Sequence, residues 1–219
     1  MKILIIGAST AQSIGYQVGE RLRVDGHIVL YSSRRSKLQD AGMCFQACDV
    51  TKPRQTEKLF KTSLPEVIIY AAGVFSNAQA LGSIKDWSAI HAHLQAKSIG
   101  AIATLNAAVR IGMVQRIIFL GGREISAHEG YGAYTCGNGA MWALVKFAAR
   151  HIRTITAHYI YLPMVIGSTM ANRYLEDPAK KDSHGGAVSI EEVSATIESI
   201  LEGKHDTKNR IVLGEEWNI

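Results

Sequence analysis

The stretch that decides the fold reads ILIIGASTAQSIG and spans residues 3–15. Its apolar run, Ile3–Ile6, is typical of a strand that is buried on both faces of a parallel sheet. The run ends at Gly7, and an apolar residue then recurs at every fourth position from Ile14 to Leu22, which is the buried stripe of a helix. This order of strand, glycine turn and helix predicts the first unit of an α/β sheet.

The same alternation continues along the chain. Further strands are predicted at 27–31, 44–47, 67–70, 115–120, 154–161 and 210–213, and further helices at 53–62, 86–111, 131–152 and behind a capping box of Ser189 and Glu192. Alternation at this spacing predicts a doubly wound parallel sheet of Rossmann type, with helices on both faces. We expect a single domain over residues 1–219, with 167–187 as a small substrate lid.

The composition is that of a globular chain. Of the 219 residues, 47% are hydrophobic and 20% are charged, and 24 basic against 19 acidic side chains give a net charge of +5. Because no block of five or six like charges occurs, we expect no nucleic-acid partner. Because no apolar run approaches ~18 residues, we expect no membrane segment and a cytoplasmic location. The three cysteines have the spacing of neither a disulfide framework nor a zinc site, so no metal is expected.

Residues 7–15 form a loop of small residues between the first strand and the first helix. Small residues let the backbone approach a pyrophosphate, and the following helix N-terminus offers free N–H groups and positive dipole. The candidate cofactor-binding residues in this loop are Gly7, Ser9, Ser13 and Ile14. Because the strict glycine fingerprint is not met, a tight structural turn is the alternative.

Further motifs follow in register, and together they resemble the short-chain dehydrogenase/reductase family over nearly the whole chain. The glycine-loop spacing is most similar to the enoyl-acyl-carrier-protein reductase branch. The matching positions are Asp49-Val50 after the third strand, Ala71-Ala72-Gly73 after the fourth, Tyr134 before a long apolar helix, and Ile166 and Ser168 after Pro163. The resemblance implies that Asp49 and Val50 contact adenine and that 71–73 line the cofactor. It also implies that Ile166 lies beside the nicotinamide amide, with Ser168 at the hydroxyl position of the motif.

Two arginines, Arg34 and Arg35, follow the second strand. In such folds an acidic residue there binds the ribose 2′-hydroxyl, whereas arginine accommodates a 2′-phosphate. No acid lies between Tyr31 and Gln39, so the sequence favours NADP(H) over NAD(H). Two solvated loop charges are the alternative, and the enoyl-reductase-like loop is also found in enzymes that use NADH.

The resemblance implies that Tyr134 is the general acid/base, supported by a lysine that lowers its pKa and a serine that holds the substrate carbonyl. This chain departs at three positions. Asn138 stands where the lysine is expected, a Gly-Gly pair at 121–122 replaces the serine, and Lys97 replaces an asparagine on the preceding long helix. Tyr131 is an alternative acid, and with that choice Asn138 again stands where the lysine is expected.

Two interpretations of these departures remain open. In the first, the catalytic apparatus is lost and the chain is a dinucleotide-binding sensor or scaffold. In the second, lysine and asparagine have exchanged places. Lys97 then brings its ammonium toward Tyr134 from the other helix, while Asn138 holds ribose or water.

The function favoured by the sequence is an NADP(H)-dependent oxidoreductase. It would transfer a hydride to or from a carbonyl, an alcohol or an activated double bond of a small-molecule substrate. A sugar-nucleotide epimerase of the extended family is a further alternative, less favoured because such chains are usually longer. The predicted helix at 131–152 is apolar around much of its circumference, so we expect a homodimer or homotetramer.

Overall fold

Strands and helices alternate along the computed structural model, which describes residues 1–34, 44–73, 87–122, 132–169, 171–172, 187–206 and 209–213. The strands are β1 Lys2–Ile6, β2 Ile28–Ser33, β3 Phe45–Ala47, β4 Val67–Tyr70, β5 Arg116–Gly121, β6 Thr156–Tyr161, β7 Met164–Val165, β8 Ala187–Val188 and β9 Arg210–Val212. The helices are α1 Ile14–Val24, α2 Pro53–Ser63, α3 Trp87–Leu94, α4 Ala101–Ile111, α5 Gly132–His151 and α6 Ile190–Leu201. A π-helical segment, Gln95–Gly100, joins α3 to α4.

The described residues form a seven-stranded sheet in the order β3-β2-β1-β4-β5-β6-β9, and every pairing in it is parallel. The chain runs outward from β1 to β3 in one direction and from β4 to β9 in the other. The strand order therefore reverses between β1 and β4, where the connections leave a crevice at the carboxyl ends of the strands. The predicted doubly wound parallel sheet is confirmed.

Successive residues of each strand pack into two separate cores, because side chains alternate between the faces of a sheet. On one face, Leu4 and Ile6 of β1 pack with side chains of α2, α4 and α5. On the other face, Ile3 and Ile5 pack with α1 and α6. These four apolar residues of β1 are buried, so the short apolar run at the start of the chain is a central strand, as predicted.

The boundaries of several elements differ from the sequence-based expectation. β2 continues through Ser33, and β6 begins at Thr156 rather than at residue 154. The helix expected over 86–111 contains the π-helical segment in its middle. The capping box is confirmed, since the Ser189 hydroxyl accepts from the Glu192 N–H and the Glu192 carboxylate accepts from the Ser189 N–H. Of the expected lid, residues 170 and 173–186 lie outside the described residues.

The described ranges contain neither a membrane-spanning helix nor a metal-binding cluster. None of their helices is long and apolar enough to cross a bilayer. None of their histidine, cysteine and acidic side chains form a group of three that could hold a metal ion. The three cysteines, Cys44, Cys48 and Cys136, are free thiols.

Candidate active site

The glycine loop is held tightly between β2 and β4. Gly7 has φ +109°, and a Cβ there would lie 2.5 Å from the carbonyl carbon of Ala71, so only glycine fits. The Gly7 N–H donates to the Ser32 carbonyl at 2.7 Å, and the Ala71 N–H donates to the Ile6 carbonyl at 2.8 Å. These contacts bring the ends of β1, β2 and β4 together at the crevice.

The N-terminus of α1 opens into this crevice. Ser13 is the N-cap residue, but its hydroxyl donates to the Thr10 carbonyl at 2.7 Å and does not cap the helix. The first turn, from Ile14 to Gln17, contains no acidic residue. Uncapped N–H groups and the positive end of the helix dipole are therefore available to an anion. Ser9 is exposed on the loop in front of them.

The segment after β7 is tied to the glycine loop. The Thr169 N–H donates to the Gln12 carbonyl at 3.0 Å, and the Gln17 side-chain amide donates to the same oxygen at 3.1 Å. The Ser168 hydroxyl accepts from the Ala171 N–H at 3.1 Å and so begins a short helical turn. The buried Thr169 hydroxyl has no hydrogen-bond partner among the described residues. The Thr169 hydroxyl is therefore a further candidate for a hydrogen bond with a ligand, beside the predicted Ser168.

The far end of the crevice, past β2 and β3, holds the residues expected at the adenosine. Arg34 directly follows β2 and is exposed, whereas Arg35 lies outside the described residues. One Asp49 oxygen accepts from both the N–H and the hydroxyl of Thr51, at 3.0 and 2.7 Å. The Val50 side chain belongs to the core below. Of the Asp-Val pair, only the Asp49 side chain is therefore partly accessible to a ligand.

A nicotinamide dinucleotide fits this donor set. The uncapped turn of α1 suits its pyrophosphate, and the orphaned Thr169 hydroxyl lies against the same loop. Ala71, Ala72 and Gly73 follow β4 along the floor of the crevice, and the Ile166 side chain is 59% exposed at its edge. The residues that the sequence proposed for the cofactor therefore meet at one edge of the sheet, within the described ranges.

The glycine pair at the end of β5 explains the missing serine. A Cβ at Gly121 would collide with the Tyr159 hydroxyl, which donates to the Gly122 carbonyl at 2.7 Å. A Cβ at Gly122 would lie 2.5 Å from the Tyr134 hydroxyl oxygen. Two tyrosine hydroxyls thus occupy the space that side chains at these positions would need. Tyr134 itself supplies the hydroxyl at the end of β5.

Tyr134 is on α5, and its side chain packs against α3. Its ring is tilted by 31° against that of His93, with the centroids 5.3 Å apart, and Asn138 hydrogen-bonds its hydroxyl. Burial raises the pKa of Tyr134, the Asn138 bond lowers it, and nearby Tyr161 raises it; the net direction is upward. At neutral pH this hydroxyl is therefore protonated and able to donate.

Lys97 is a buried lysine in the middle of the π-helical segment, with 6% of its surface exposed. Its ammonium donates to the Leu120 carbonyl at 3.3 Å, and a Cβ at Gly73 would lie 3.0 Å from its Cε. Burial lowers the pKa of Lys97 to about 8. Its amine thus lies between the carboxyl ends of β4 and β5, at the inner end of the crevice.

Lys97 and Tyr134 approach the end of β5 from different helices. The amine contacts Leu120, and the tyrosine hydroxyl lies over Gly122, two residues further along. The causes of the shift in the Tyr134 pKa are burial, the Asn138 hydrogen bond and nearby Tyr161, and Lys97 is not among them. The described residues therefore pair Tyr134 with Asn138, and they bring the Lys97 amine to the same strand, two residues before Gly122. Tyr131, the alternative acid, lies outside the described residues.

Three residues of the site have no place in the sequence-based set: His93, Thr169 and Tyr70. His93 shares a helix face with Lys97, four residues on, which is the one signal that could have linked it to the site. Thr169 directly follows the residue assigned to the hydroxyl position. Tyr70 directly precedes Ala71 in the matched family motif, but its contact with the π-helical segment bridges 26 positions of sequence, so no local pattern predicts that contact.

Comparisons with known proteins agree with this geometry. The profile of the NAD dependent epimerase/dehydratase family matches residues 3–178. No curated protein sequence matches the chain significantly. Membership of an NAD-dependent family supports a nicotinamide dinucleotide as the cofactor.

Solved structures show the same fold at low sequence identity. The chain resembles 4-hydroxyisoleucine dehydrogenase complexed with NADH, with 15% identity and a TM-score of 0.83 over 100% of this chain and 99% of that one. It resembles levodione reductase with 14% identity and a TM-score of 0.82 over 97% and 95%. It also resembles a short-chain type dehydrogenase/reductase from Mycobacterium ulcerans, with 15% identity and a TM-score of 0.82 over 96% of this chain and 86% of that one. These structures share the fold of this chain, in agreement with the resemblance to the short-chain dehydrogenases/reductases, and the family match shows that the chain belongs to the NAD dependent epimerase/dehydratase family.

Proposed function

We propose that the protein is an NADP(H)-dependent oxidoreductase that reduces a carbonyl, or in reverse oxidises an alcohol, with an activated double bond as a further possible acceptor. The observation that carries the proposal is the position of the Tyr134 hydroxyl over the end of β5, two strands from the glycine loop, with Asn138 bound to it. When bound, the cofactor supplies or accepts the hydride. The chain must bind that cofactor, orient the substrate and move one proton.

Binding is the task of the glycine loop and the arginines. The uncapped N–H groups of α1 hold the pyrophosphate. Arg34, exposed directly after β2, and Arg35 beside it in the sequence bind a 2′-phosphate, and this pairing favours NADP(H) over NAD(H). The Thr169 hydroxyl adds a hydrogen bond next to the loop.

Proton transfer is the task of Tyr134. Its raised pKa favours the protonated form at neutral pH, so it donates to the carbonyl oxygen as the hydride reaches the carbon. Reduction is therefore the favoured direction near neutral pH, whereas oxidation needs the phenolate and hence alkaline solution. Asn138 holds the hydroxyl in place by its hydrogen bond.

Lys97 takes the part of the missing lysine, in the exchange that the sequence suggested. Its buried amine donates to the Leu120 carbonyl, two residues before the glycine that lies against the Tyr134 hydroxyl, and in this proposal a rotamer change of its four-carbon stem brings it to the phenolate. The negative charge of a phenolate or of bound cofactor favours its protonated form. An ammonium about 4 Å from the phenolate stabilises it by roughly 4 kcal/mol at an effective dielectric constant of 20, before solvation losses.

A second candidate is a dinucleotide-binding protein without turnover. The observation that favours it is the packing at Gly121 and Gly122, where two tyrosine hydroxyls exclude the serine that would hold a substrate carbonyl. In that case the crevice binds cofactor as a sensor or scaffold. The two candidates differ in one measurable property, which is oxidation of the bound cofactor by a substrate.

The protein is also proposed to form homodimers or homotetramers. Large apolar side chains lie exposed along the π-helical segment, α4 and the residues directly after it; they are Ile99, Ile102, Val109 and Met113. Phe147 of α5 is exposed as well. Burial of this stripe against a second copy would remove it from water. Light scattering at micromolar concentration should give a dimer or larger, and a monomer would contradict this proposal.

The test of function begins with cofactor binding. Titration with NADPH and NADH, followed by fluorescence of the reduced nicotinamide, should show tighter binding of NADPH. The bound protein is then mixed with a panel of ketones, aldehydes and enones, and with nucleotide sugars because the family includes epimerases. Loss of nicotinamide absorbance with any carbonyl supports the oxidoreductase. Tight NADPH binding without turnover across the panel favours the second candidate.

A further inference from the structure

Tyr70 is the last residue of β4, and its hydroxyl contacts the π-helical segment between α3 and α4. The side chain is fully buried, and its hydroxyl donates to the Ala96 carbonyl at 2.5 Å. A π-helical turn is wider than an α-helical one by about one residue, and it is rare in proteins. A specific contact is therefore needed to hold the wide turn.

The Tyr70 hydroxyl binds a carbonyl that a regular α-helix would use in its own backbone hydrogen bonds. In an α-helix the Ala96 carbonyl accepts from the N–H of the residue four positions later, which is Gly100. A Cβ at Gly100 would lie 2.5 Å from the Tyr70 hydroxyl oxygen. The hydroxyl thus donates to the carbonyl that a regular helix would pair with Gly100, and it fills the side-chain position at Gly100.

The wide turn determines where Lys97 points, because Lys97 directly follows Ala96. Each residue of a helix turns the next by about 100°, so closing the turn would rotate the residues on its two sides relative to each other. Lys97 now crosses Gly73, and its amine donates to the Leu120 carbonyl at 3.3 Å. A rotation of this size would remove the amine from the ends of β4 and β5.

We propose that Tyr70 is a positioning residue for Lys97, whose amine it keeps at the crevice by holding the π-helical turn open. The proposal rests on the proposed function only where it concerns the use of that amine in turnover. Its structural part, the dependence of the Lys97 position on the Tyr70 hydroxyl, stands on the contacts alone. Tyr70 contacts neither substrate nor cofactor in this scheme.

The titration of Lys97 reports its position. Burial lowers its pKa to about 8, so an amine that leaves the site regains a pKa near the ordinary lysine value of about 10.4. Among the titratable side chains in the described residues, His93 of α3 lies beside Lys97 at Gly137, Tyr134 of α5 packs against His93, and Tyr70 binds the residue before Lys97. A phenylalanine at position 70 keeps the ring and removes only the hydroxyl.

The experiment uses the full chain labelled with carbon-13 lysine, without cofactor. The Cε chemical shift of each lysine is followed against pH by NMR, and the Lys97 signal is assigned by its loss in Lys97→Met. In Tyr70→Phe the Lys97 midpoint should rise by about one pH unit or more. Gly100→Ala should have the same effect, because its Cβ displaces the Tyr70 hydroxyl.

The matched control is Tyr31→Phe. Tyr31 is equally buried, and its hydroxyl donates to Glu20 at 2.7 Å, but it packs on the other face of the sheet. The Tyr31→Phe variant should lose stability as Tyr70→Phe does, but its Lys97 titration midpoint should be unchanged. If Tyr70→Phe, or Gly100→Ala should the first not fold, keeps the midpoint near that of the parent protein, the proposal is wrong.

Turnover separates this proposal from the proposed function. If Lys97 serves in catalysis, Tyr70→Phe should lower kcat and shift its pH profile together with the Lys97 midpoint, while the KM for NADPH stays constant. A moved Lys97 midpoint with unchanged turnover would support the positioning role and contradict the catalytic use of Lys97. An unmoved midpoint with turnover that depends on Lys97 would leave the function standing and overturn the positioning role.

Discussion

The two halves of the crevice are built in different ways. The glycine-loop half consists of the ends of β1, β2 and β4 with the start of α1, and backbone atoms make most of its contacts. The tyrosine half consists of the end of β5 with α5 and the π-helical segment, and side chains make its contacts. The first half matches the pattern that the family resemblance implies, and the second departs from it at the lysine, the serine and the asparagine.

The difference shows which half tolerates change. A backbone site requires little beyond small residues, so its chemistry survives wide variation in sequence. A side-chain site can be rebuilt from another element when one residue is lost, and here the cation is on the preceding helix while the hydroxyl fills the serine position. In the proposed function, the glycine-loop half binds the cofactor and the tyrosine half carries out turnover.

The largest expected effect is the loss of turnover in a Tyr134 variant, which changes the tyrosine half and leaves the glycine-loop half intact. Tyr134→Phe removes the proton donor and should lower kcat by about 10²–10⁴-fold, because that is the usual contribution of a positioned general acid. The affinity for NADPH should change little, since the glycine-loop half is untouched. Tyr31→Phe, on the opposite face of the sheet, serves as the control and should keep full activity. Equal turnover in both variants would remove Tyr134 from the mechanism.

The next effect concerns the cofactor end of the glycine-loop half. Arg34→Ala with Arg35→Ala should weaken NADPH binding on the order of 10- to 100-fold and leave NADH nearly unchanged, because charge-assisted contacts contribute about 1.5–3 kcal/mol. Arg21→Ala with Arg23→Ala, in the last turn of α1, makes the same change of charge elsewhere. If the parent protein binds both cofactors equally well, the 2′-phosphate site does not exist.

A smaller effect tests the packing of the tyrosine half. Gly122→Ala places a Cβ 2.5 Å from the Tyr134 hydroxyl, so the ring must move. We expect a loss of about 1–3 kcal/mol in the free energy of unfolding, the usual cost of overpacking, together with lower turnover. Denaturant unfolding measures the first and cofactor oxidation the second. Full stability and activity would show that the Tyr134 hydroxyl does not occupy this space.

The smallest effect is the pH dependence of stability that Lys97 imposes. Its folded pKa, about 8, is below its unfolded value near 10.4, so the unfolded chain binds more protons between these values. The free energy of unfolding should therefore rise with pH from about 8 to 9.5, by about 1–2 kcal/mol, relative to Lys97→Met. Denaturant titrations of both proteins without cofactor measure the difference. A difference that is constant with pH would mean that the amine is not buried.

Much of the glycine-loop half could be predicted from sequence, because local patterns determine it. The apolar run 3–6, the break at Gly7 and the stripe of α1 all lie within 24 residues, and the structure confirms the strand and the helix. The capping box of α6 was equally readable, since both of its hydrogen bonds join residues three positions apart. Thr169 was missed because its contact with Gln12 joins segments far apart in the chain.

The tyrosine half could be predicted only in part. Tyr134, Asn138 and Lys97 were identified, but the sequence could not show which of them meet. The π-helical segment depends on a hydroxyl from β4, and the glycine pair after β5 depends on tyrosines from α5 and β6. These are contacts between elements, and no local pattern records them. For the same reason the helix over 86–111 was expected to be regular.

The most direct test of the exchange between the two helices is the pH profile of turnover with NADPH in Lys97→Met and in Lys97→Met combined with Asn138→Lys. The single variant keeps much of the stem and removes the charge. It should lower turnover by about ten-fold or more and shift the alkaline limb of the profile upward, since one pKa unit corresponds to about 1.4 kcal/mol. The double variant restores a cation on α5 and should recover part of the rate. Unchanged turnover and an unchanged profile in Lys97→Met would contradict the account.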